Sequence, residues 1–283
     1  MPPTETLRTS TNATRLLVSI RNREEAELAI RHGVYWIDVK EPRTGALGRP
    51  SFDSAMDIYS SLENHACRSV ALGELHDLPN NAGATREALR LAELFPVAKV
   101  GMSNLSNANW QSSLQKLQND IELRGCQLVP VFYADGSNNG APNWKAIIRF
   151  LDDQQRTGVT STPRRLLIDT FVKDGKNLLA HLPIAQIQTC LADCQRRGIN
   201  LVLAGSLRAE QISLLLSLGA EAIGVRGAVC EPNERSSEAH SSSNHNPSSQ
   251  NEDQTRTGSL SPEKLRTITR LFEMTSESTP IGC

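Results

Sequence analysis

Short apolar segments alternate with longer amphipathic segments along the chain from residue 16 onward. The apolar segments are rich in aliphatic and β-branched residues, which is typical of strands that are buried on both faces of a parallel sheet. The amphipathic segments have the apolar spacing of helices. The pattern predicts eight strands, at residues 16–20, 35–39, 68–72, 98–102, 127–133, 165–169, 200–204 and 221–225.

Each predicted strand is followed by a predicted helix. The last helix begins Ser261-Pro262-Glu263, an N-cap followed by proline at the first helical position. Eight strands and eight helices in strict alternation predict an α/β fold, a closed (β/α)8 TIM barrel, with an open doubly wound sheet as the alternative. The helices are predicted at residues 23–32, 51–64, 84–94, about 106–124, 143–157, 183–197, 208–218 and 261–274.

We expect a single barrel domain, formed by residues 16–230 together with 260–275, after a flexible N-terminal extension of residues 1–15. Residues 231–259, between strand 8 and helix 8, are polar and rich in serine and asparagine. They contain no apolar residue able to anchor a core, which predicts a disordered insertion. The insertion would lie at the active-site rim of a barrel, so a lid is the alternative to a passive loop.

Composition and charge exclude several classes of protein. The formal net charge is -1, so no overall field attracts nucleic acid or anionic lipid. No apolar run approaches the roughly 20 residues that a membrane span needs, and we expect a cytoplasmic protein without nucleic-acid or membrane partners. The six cysteines form no CxxC pair, and neither a metal nor a cofactor is predicted. A homo-oligomer stays open as an alternative.

Charged side chains cluster at the predicted carboxyl ends of strands, where barrel enzymes carry their active sites. Asp38 and Lys40 end strand 2 and project to the same side. Lys99 interrupts the apolar strand 4, while Asp169 ends strand 6 and Lys173 follows it. Any one acid and lysine pair has a purely structural reading as an ion pair. Convergence of three lysines favours a catalytic site, because repulsion and desolvation oppose folding.

Lys40 is the residue that we expect to be the nucleophile. An amine that is desolvated and crowded by other cations loses its proton more readily than a free lysine, whose pKa is about 10.4. The neutral amine can then attack a carbonyl carbon and form a Schiff base.

The turns after strands 7 and 8 have the residues of a phosphate site. Gly205 and Ser206 follow strand 7, and Arg226 and Gly227 follow strand 8. Glycine lets backbone N–H groups approach an anion, and Arg226 could add a charge-assisted bond. The alternative is that the glycines serve tight turns only. Weaker candidates for the mouth of the barrel are Glu74, His76, Asp77, Tyr133 and Asp135.

Several of these segments, in the same order and over roughly residues 16–230, resemble the family of (5-formylfuran-3-yl)methyl phosphate synthases, also called 4-(hydroxymethyl)-2-furancarboxaldehyde-phosphate synthases. The resemblance implies a lyase that condenses two molecules of glyceraldehyde 3-phosphate with loss of phosphate and water, in methanofuran biosynthesis and without a cofactor. The segments that carry it are Ile37 to Pro42, Gly45 to Gly48, Lys99 to Gly101, Asp169 to Lys176, Leu203 to Arg208 and Gly224 to Cys230.

The resemblance also implies roles for the charged residues. Lys40 matches the Schiff-base lysine and Lys99 the proton acceptor of the family, while Asp38, Asp169 and Lys173 match supporting acid-base residues. The insertion at 231–259 has no counterpart in the family pattern. Two other readings use the same lysines, namely a Schiff-base phosphosugar aldolase of another specificity and a non-catalytic phosphosugar-binding protein.

Overall fold

The structure is a computed structural model that describes residues 13–62, 65, 67–105, 109–136, 141–157, 164–232 and 255–277. The strands are β1 Arg15–Ile20, β2 Trp36–Val39, β3 Cys67–Glu74, β4 Val97–Gly101, β5 Gln127–Tyr133, β6 Arg165–Asp169, β7 Asn200–Leu203 and β8 Ala222–Val225. The helices are α1 Arg23–Arg31, α2 Phe52–Ser61, α3 Ala82–Leu94, α4 Trp110–Glu122, α5 Trp144–Thr157, α6 Leu178–His181, α7 Ile184–Gln195, α8 Ala209–Leu216 and α9 Pro262–Glu277.

The eight strands form one closed barrel in sequence order. Every neighbouring pair is parallel, and the barrel closes where β1 pairs with β8, with Leu17 beside Gly224 and Val18 beside Val225. Helices connect the strands along the chain. The predicted (β/α)8 barrel is therefore confirmed, and the open doubly wound sheet is excluded.

Two apolar clusters form the core, and the two-residue period of the strands separates them. Leu16, Val18 and Ile20 belong to the outer cluster, which lies between the strands and the helices. The inner cluster fills the barrel and contains Leu17 and its counterparts on the other strands. Its other fully buried members on the strands are Trp36, Ala71, Val129, Val131, Tyr133, Leu167, Val202 and Ala222.

Local sequence signals explain where several helices begin. The side chain of Asn22 accepts a hydrogen bond from the Glu25 N–H at 2.9 Å and caps α1. Ser51 and Asn81 cap α2 and α3 in the same way. Of the helices that the structure describes, none is long and apolar enough to cross a membrane.

The structure differs from the predicted elements in two places. The four-residue helix α6 was not predicted, because a single turn capped by Asn177 is too short to show a helical period. Residues 255–259, which the sequence assigns to a disordered insertion, have defined contacts at the rim, and Leu260 forms an antiparallel bridge with Cys230. Residues 233–254 of the insertion and residues 1–12 of the predicted extension lie outside the described residues.

Candidate active site

A cavity of about 740 Å³ opens at the carboxyl ends of the strands. This volume lies in the range of roughly 300–1,000 Å³ that is usual for small-molecule sites. Lys40, Lys99, Asp169 and Lys173 line its inner part, and the turns after β7 and β8 line the side opposite. The charged residues picked out from the sequence thus share one cavity with the predicted phosphate turns.

Lys99 and Asp38 form an ion pair inside the barrel. The Lys99 Nζ atom lies 2.5 Å from Asp38 Oδ2, and the two side chains are 4% and 0% exposed. The Asp38 carboxylate also accepts hydrogen bonds from Ser19 Oγ at 2.9 Å and Ser69 Oγ at 2.6 Å. A buried charge needs such a set of partners, because desolvation alone would neutralise it. Lys99 touches the cavity, so this pair could exchange a proton with a bound molecule.

Lys40 reaches the same cavity, and among the described residues no carboxylate forms an ion pair with it. Its Nζ atom donates a long hydrogen bond of 3.4 Å to the carbonyl of Ala46. Burial, together with the nearby ammonium groups of Lys99 and Lys173, lowers the pKa of Lys40 to about 7, against the opposing effect of Asp169 and Asp38. Near neutral pH a large fraction of this amine is therefore unprotonated, the form that attacks carbonyl carbon.

Asp169 and Lys173 form a second pair at the opposite side of the barrel. Lys173 Nζ lies 3.3 Å from Asp169 Oδ1 and donates to the carbonyl and hydroxyl of Thr170 at 2.6 and 3.0 Å. Burial opposes ionisation of Asp169, but Lys173, Lys40 and the Thr170 N–H hold the pKa of its carboxyl below the ordinary value. Asp135 accepts the N–H groups of residues 171 and 172, both at 2.8 Å, and so fixes the loop that carries Lys173.

The turn after β7 has a backbone that only a glycine suits at its first position. Gly205 has a φ of 108°, and a Cβ atom there would lie 3.1 Å from Thr170 Cγ2 and 3.3 Å from Leu178 Cβ. Ser206, the next residue, also has a positive φ of 51°. The turn leads into α8, and it faces Gly227 across the cavity. Two short turns that line the cavity at this end of a barrel suit an anion such as phosphate.

The contacts of Arg226 differ from those that its predicted role as a phosphate ligand requires. Its guanidinium donates to Glu25 Oε2 and Oε1 at 2.9 and 3.2 Å and to the carbonyls of Ser19, Arg256 and Gly258 at 2.8, 2.7 and 2.8 Å. These contacts use all five N–H donors of an arginine. The side chain therefore holds the rim together, because a buried carboxylate 201 positions earlier in the chain attracts it.

We call residues 255–258 the rim segment. Its carbonyls are held by Arg226, and Arg21 donates to the carbonyl of Thr257. The Arg256 side chain reaches the carbonyls of Pro42 and Gly45, in the loop that follows Lys40. Thr255 and Arg256 also line the cavity. The rim segment thus joins the β8 side of the mouth to the β2 side, which its polar composition did not indicate.

The weaker candidates fall into two groups. Tyr133 donates a hydrogen bond of 2.5 Å to Glu74 Oε1, and burial and this carboxylate raise the pKa of Tyr133 well above its ordinary value. The Glu74 carboxylate also accepts from the N–H and hydroxyl of Ser103. His76 pairs instead with Asp77 at 3.0 Å, in a turn outside the cavity lining.

Sequence reasoning missed Ser19 and Ser69, the two hydroxyl partners of Asp38. Both stand directly beside Asp38 in the sheet register, one on β1 and one on β3. A polar residue at an inward position next to a buried acid was the available signal, and a predicted barrel register would have revealed it.

A closed barrel with paired acids and lysines at the carboxyl ends of its strands defines the protein as an enzyme of the (β/α)8 class. The sequence profile of 4-HFC-P synthase matches residues 16–244. The chain therefore belongs to the 4-HFC-P synthase family.

Individual relatives agree with this assignment. The chain is 29% identical over 234 residues to (5-formylfuran-3-yl)methyl phosphate synthase of Methanopyrus kandleri, an alignment that covers 78% of this chain and 91% of the relative. It is 27% identical over 223 residues to the synthase of the same name from Methanococcus aeolicus, covering 78% and 92%. Among solved structures, a putative fructose-1,6-biphosphate aldolase from Coccidioides immitis has a TM-score of 0.56 at 13% identity, covering 94% and 93%. That likeness shows the barrel fold alone.

The contacts of Arg226 predict a structural effect of its removal. We expect Arg226→Met to lower the free energy of unfolding by roughly 3 kcal/mol, since it breaks a buried ion pair and removes the hydrogen bonds that Arg226 donates to three carbonyls. Urea denaturation followed by circular dichroism measures the change. Arg23→Met is the control, because Arg23 pairs with Asp57 at the surface, where such pairs contribute little. Unchanged stability combined with weaker binding of phosphate would instead restore the role that the sequence predicts for Arg226.

The lowered pKa of Lys40 predicts a stability cost. The unfolded chain binds a proton at Lys40 up to its ordinary pKa of 10.5, whereas the folded chain releases it near pH 7. Stability contributed by this residue should therefore rise between about pH 7 and 10.5. We expect Lys40→Met to be more stable than wild type at pH 7, with the difference shrinking toward pH 10. Thermal unfolding at both pH values tests this, with the exposed Lys116→Met as control; a variant less stable at pH 7 would contradict the assigned environment.

Proposed function

We propose that this protein condenses two molecules of glyceraldehyde 3-phosphate into (5-formylfuran-3-yl)methyl phosphate, through a Schiff base at Lys40. One phosphate and two molecules of water leave, which balances the atoms. Membership of the 4-HFC-P synthase family supports the reaction, and so do the names of the relatives. The observation that carries the proposal is the Lys40 amine, whose pKa is lowered to about 7 and which faces the cavity between two acid and lysine pairs.

The first half of the reaction uses the inner end of the cavity. The neutral Lys40 amine adds to the aldehyde carbon of one triose, and loss of water leaves an imine. The imine, once protonated, draws electrons from the neighbouring carbon, so a base can remove the proton there. We assign that proton to Lys99, which can accept it after passing one of its own protons to the Asp38 carboxylate 2.5 Å away. The electron pair that remains expels phosphate from the third carbon.

The second half joins the two trioses. The second triose isomerises to its ketone, so that the electron-rich third carbon of the first triose adds to the second carbon of the second. The hydroxyl on the first carbon of the second triose then closes the ring on the second carbon of the first, loss of two molecules of water gives the aromatic furan, and hydrolysis of the imine frees the formyl group. Lys173 and Asp169 form the second ion pair near Lys40 and are suited to the proton transfers of these steps. The turns at Gly205, Ser206 and Gly227 would bind the phosphate that is retained. A cavity of about 740 Å³ gives room for a second triose beside the first.

This function places the protein in the biosynthesis of a methanofuran-type cofactor, which the family resemblance implies. The same Lys40 chemistry could serve an aldolase of another specificity. The experiment that follows separates the two, since only furan formation releases phosphate.

Turnover of glyceraldehyde 3-phosphate tests the proposed reaction. We expect purified protein to release inorganic phosphate and to produce the ultraviolet absorbance of a furan aldehyde. Lys40→Ala should lower both rates by roughly 10³-fold or more, since it removes the nucleophile. Lys176→Ala is the matched control, a lysine of the same loop region whose side chain is 62% exposed, and it should retain wild-type rates. Trapping by borohydride without phosphate or furan would point to an aldolase of another specificity, and no trapping at all to a binding protein.

The pH dependence of imine formation tests the surroundings of Lys40. We expect the rate of trapping by cyanoborohydride to rise through about pH 7 and to level off above it, because the neutral amine reacts. Asp169→Asn removes an anion and should move this midpoint down. Lys99→Met removes a cation and should move it up. Mass spectrometry of the trapped protein between pH 5.5 and 9.5 measures all three. A wild-type midpoint near 10, or variants that shift in the same direction, would disprove the assigned electrostatics.

A further inference from the structure

A chain of hydrogen bonds runs beneath the Asp38 and Lys99 pair, on the side away from the cavity. Trp36 Nε1 donates to Ser69 Oγ at 3.0 Å, and Ser69 Oγ donates to Asp38 Oδ1 at 2.6 Å. All of these side chains are buried, with Trp36 exposed by 3% and Ser69 by 0%. The chain thus connects the apolar floor of the barrel to the acid that holds Lys99.

The direction of this chain follows from the chemistry of its members. An indole N–H can only donate, and an ionised carboxylate can only accept. The Ser69 oxygen accepts the hydrogen bond from Trp36, and its single hydroxyl proton must therefore point to Asp38. A serine in a β-strand could otherwise rotate its proton to another acceptor, so Trp36 fixes the orientation of Ser69.

The two oxygens of Asp38 have different partners. Oδ2 accepts from Ser19 at 2.9 Å and lies 2.5 Å from Lys99 Nζ. Of the residues that the structure describes, Ser69 is the one whose hydrogen bond to Oδ1 is seen. Anchoring Oδ1 from below sets the plane of the carboxylate and keeps Oδ2 against Lys99.

We propose that Ser69, oriented by Trp36, is a positioning residue that keeps the Asp38 carboxylate aimed at Lys99 for proton transfer. This inference rests on the proposed function for its effect on turnover. Neither residue touches the cavity, so both act through Asp38.

Other charged groups lie around this hydrogen-bond chain. Lys99 contacts Asp38 from β4, and Lys40 directly follows β2, with Asp169 and Lys173 near it. Below, the Arg165 guanidinium lies 5.4 Å from the Trp36 ring centroid and is paired with Glu221 at 2.7 Å.

If Ser69 positions Asp38 for proton transfer, its removal should slow the proton-removal step selectively. A purely structural role would not give this result. We expect Ser69→Ala to lower kcat roughly ten- to hundredfold, as expected for a displaced catalytic group. The deuterium isotope effect with glyceraldehyde 3-phosphate deuterated at its second carbon should increase. The rate of cyanoborohydride trapping at Lys40 should stay within about twofold of wild type, since imine formation does not use Lys99.

Trp36→Phe keeps the ring in the barrel but removes the N–H donor. It should change kcat and the isotope effect in the same direction by a smaller factor, and it decides the question if Ser69→Ala does not fold. The matched control is Trp110→Phe, another buried tryptophan, which packs on Phe150 at a centroid distance of 5.7 Å outside the barrel. It should behave as wild type.

A measurement without substrate separates this inference from the proposed function. In a crystal structure of Ser69→Ala, the plane of the Asp38 carboxylate should turn and Oδ2 should move away from Lys99 Nζ, from which it lies 2.5 Å in the wild type. A protein that never releases phosphate but shows this movement would refute the reaction and retain the role of Ser69. An unmoved Asp38 carboxylate, or equal losses in trapping and turnover, would overturn the role of Ser69 whatever the substrate.

Discussion

The site depends on how three lysine amines are accommodated by two carboxylates at the end of a closed barrel. Asp38 pairs with Lys99, and Asp169 pairs with Lys173. Each carboxylate is thus paired with another lysine. Lys40 lies between the two pairs, and its amine donates a hydrogen bond of 3.4 Å to the carbonyl of Ala46. Burial and the two neighbouring ammonium groups then favour its neutral form. The unequal count of acids and lysines thus creates the reactive amine, and the same pairs remain beside it as proton donors and acceptors.

The barrel imposes this arrangement through the period of its strands. Trp36, Asp38 and Lys40 lie at successive inward positions of one strand region, so a floor residue, a buried acid and a cavity amine follow each other along the barrel axis. Gly224 on β8 lines the cavity, and a Cβ atom there would lie 3.3 Å from Leu17 Cδ2. Asp38, Lys99 and Asp169 therefore stand on strands and Lys40 directly after one, whereas the turns after β7 and β8 supply the backbone that suits an anion.

The sequence predicted the elements well, because alternation of short apolar and long amphipathic segments is a strong signal when it repeats eight times. It also predicted that Lys99 faces inward, since an ionisable residue in an apolar strand has few other solutions. It could not predict which acid meets which lysine. Asp38 bonds to Lys99 two strands away, and that neighbour depends on the curvature of the closed sheet. The partner of Arg226 could not be predicted for the same reason. Its guanidinium points to Glu25, which lies 201 positions earlier in the chain.

The rim segment at 255–258 lies outside the region that the family profile matches, which ends at residue 244. Through Arg226 it is tied to Glu25, and through Arg256 to the loop that follows Lys40. The lysines and acids of the site all lie within the matched region. The wall of the cavity mouth is built in part by the rim segment. The rim segment therefore shapes the mouth of the cavity, while the ion pairs lie at the ends of the strands beneath it.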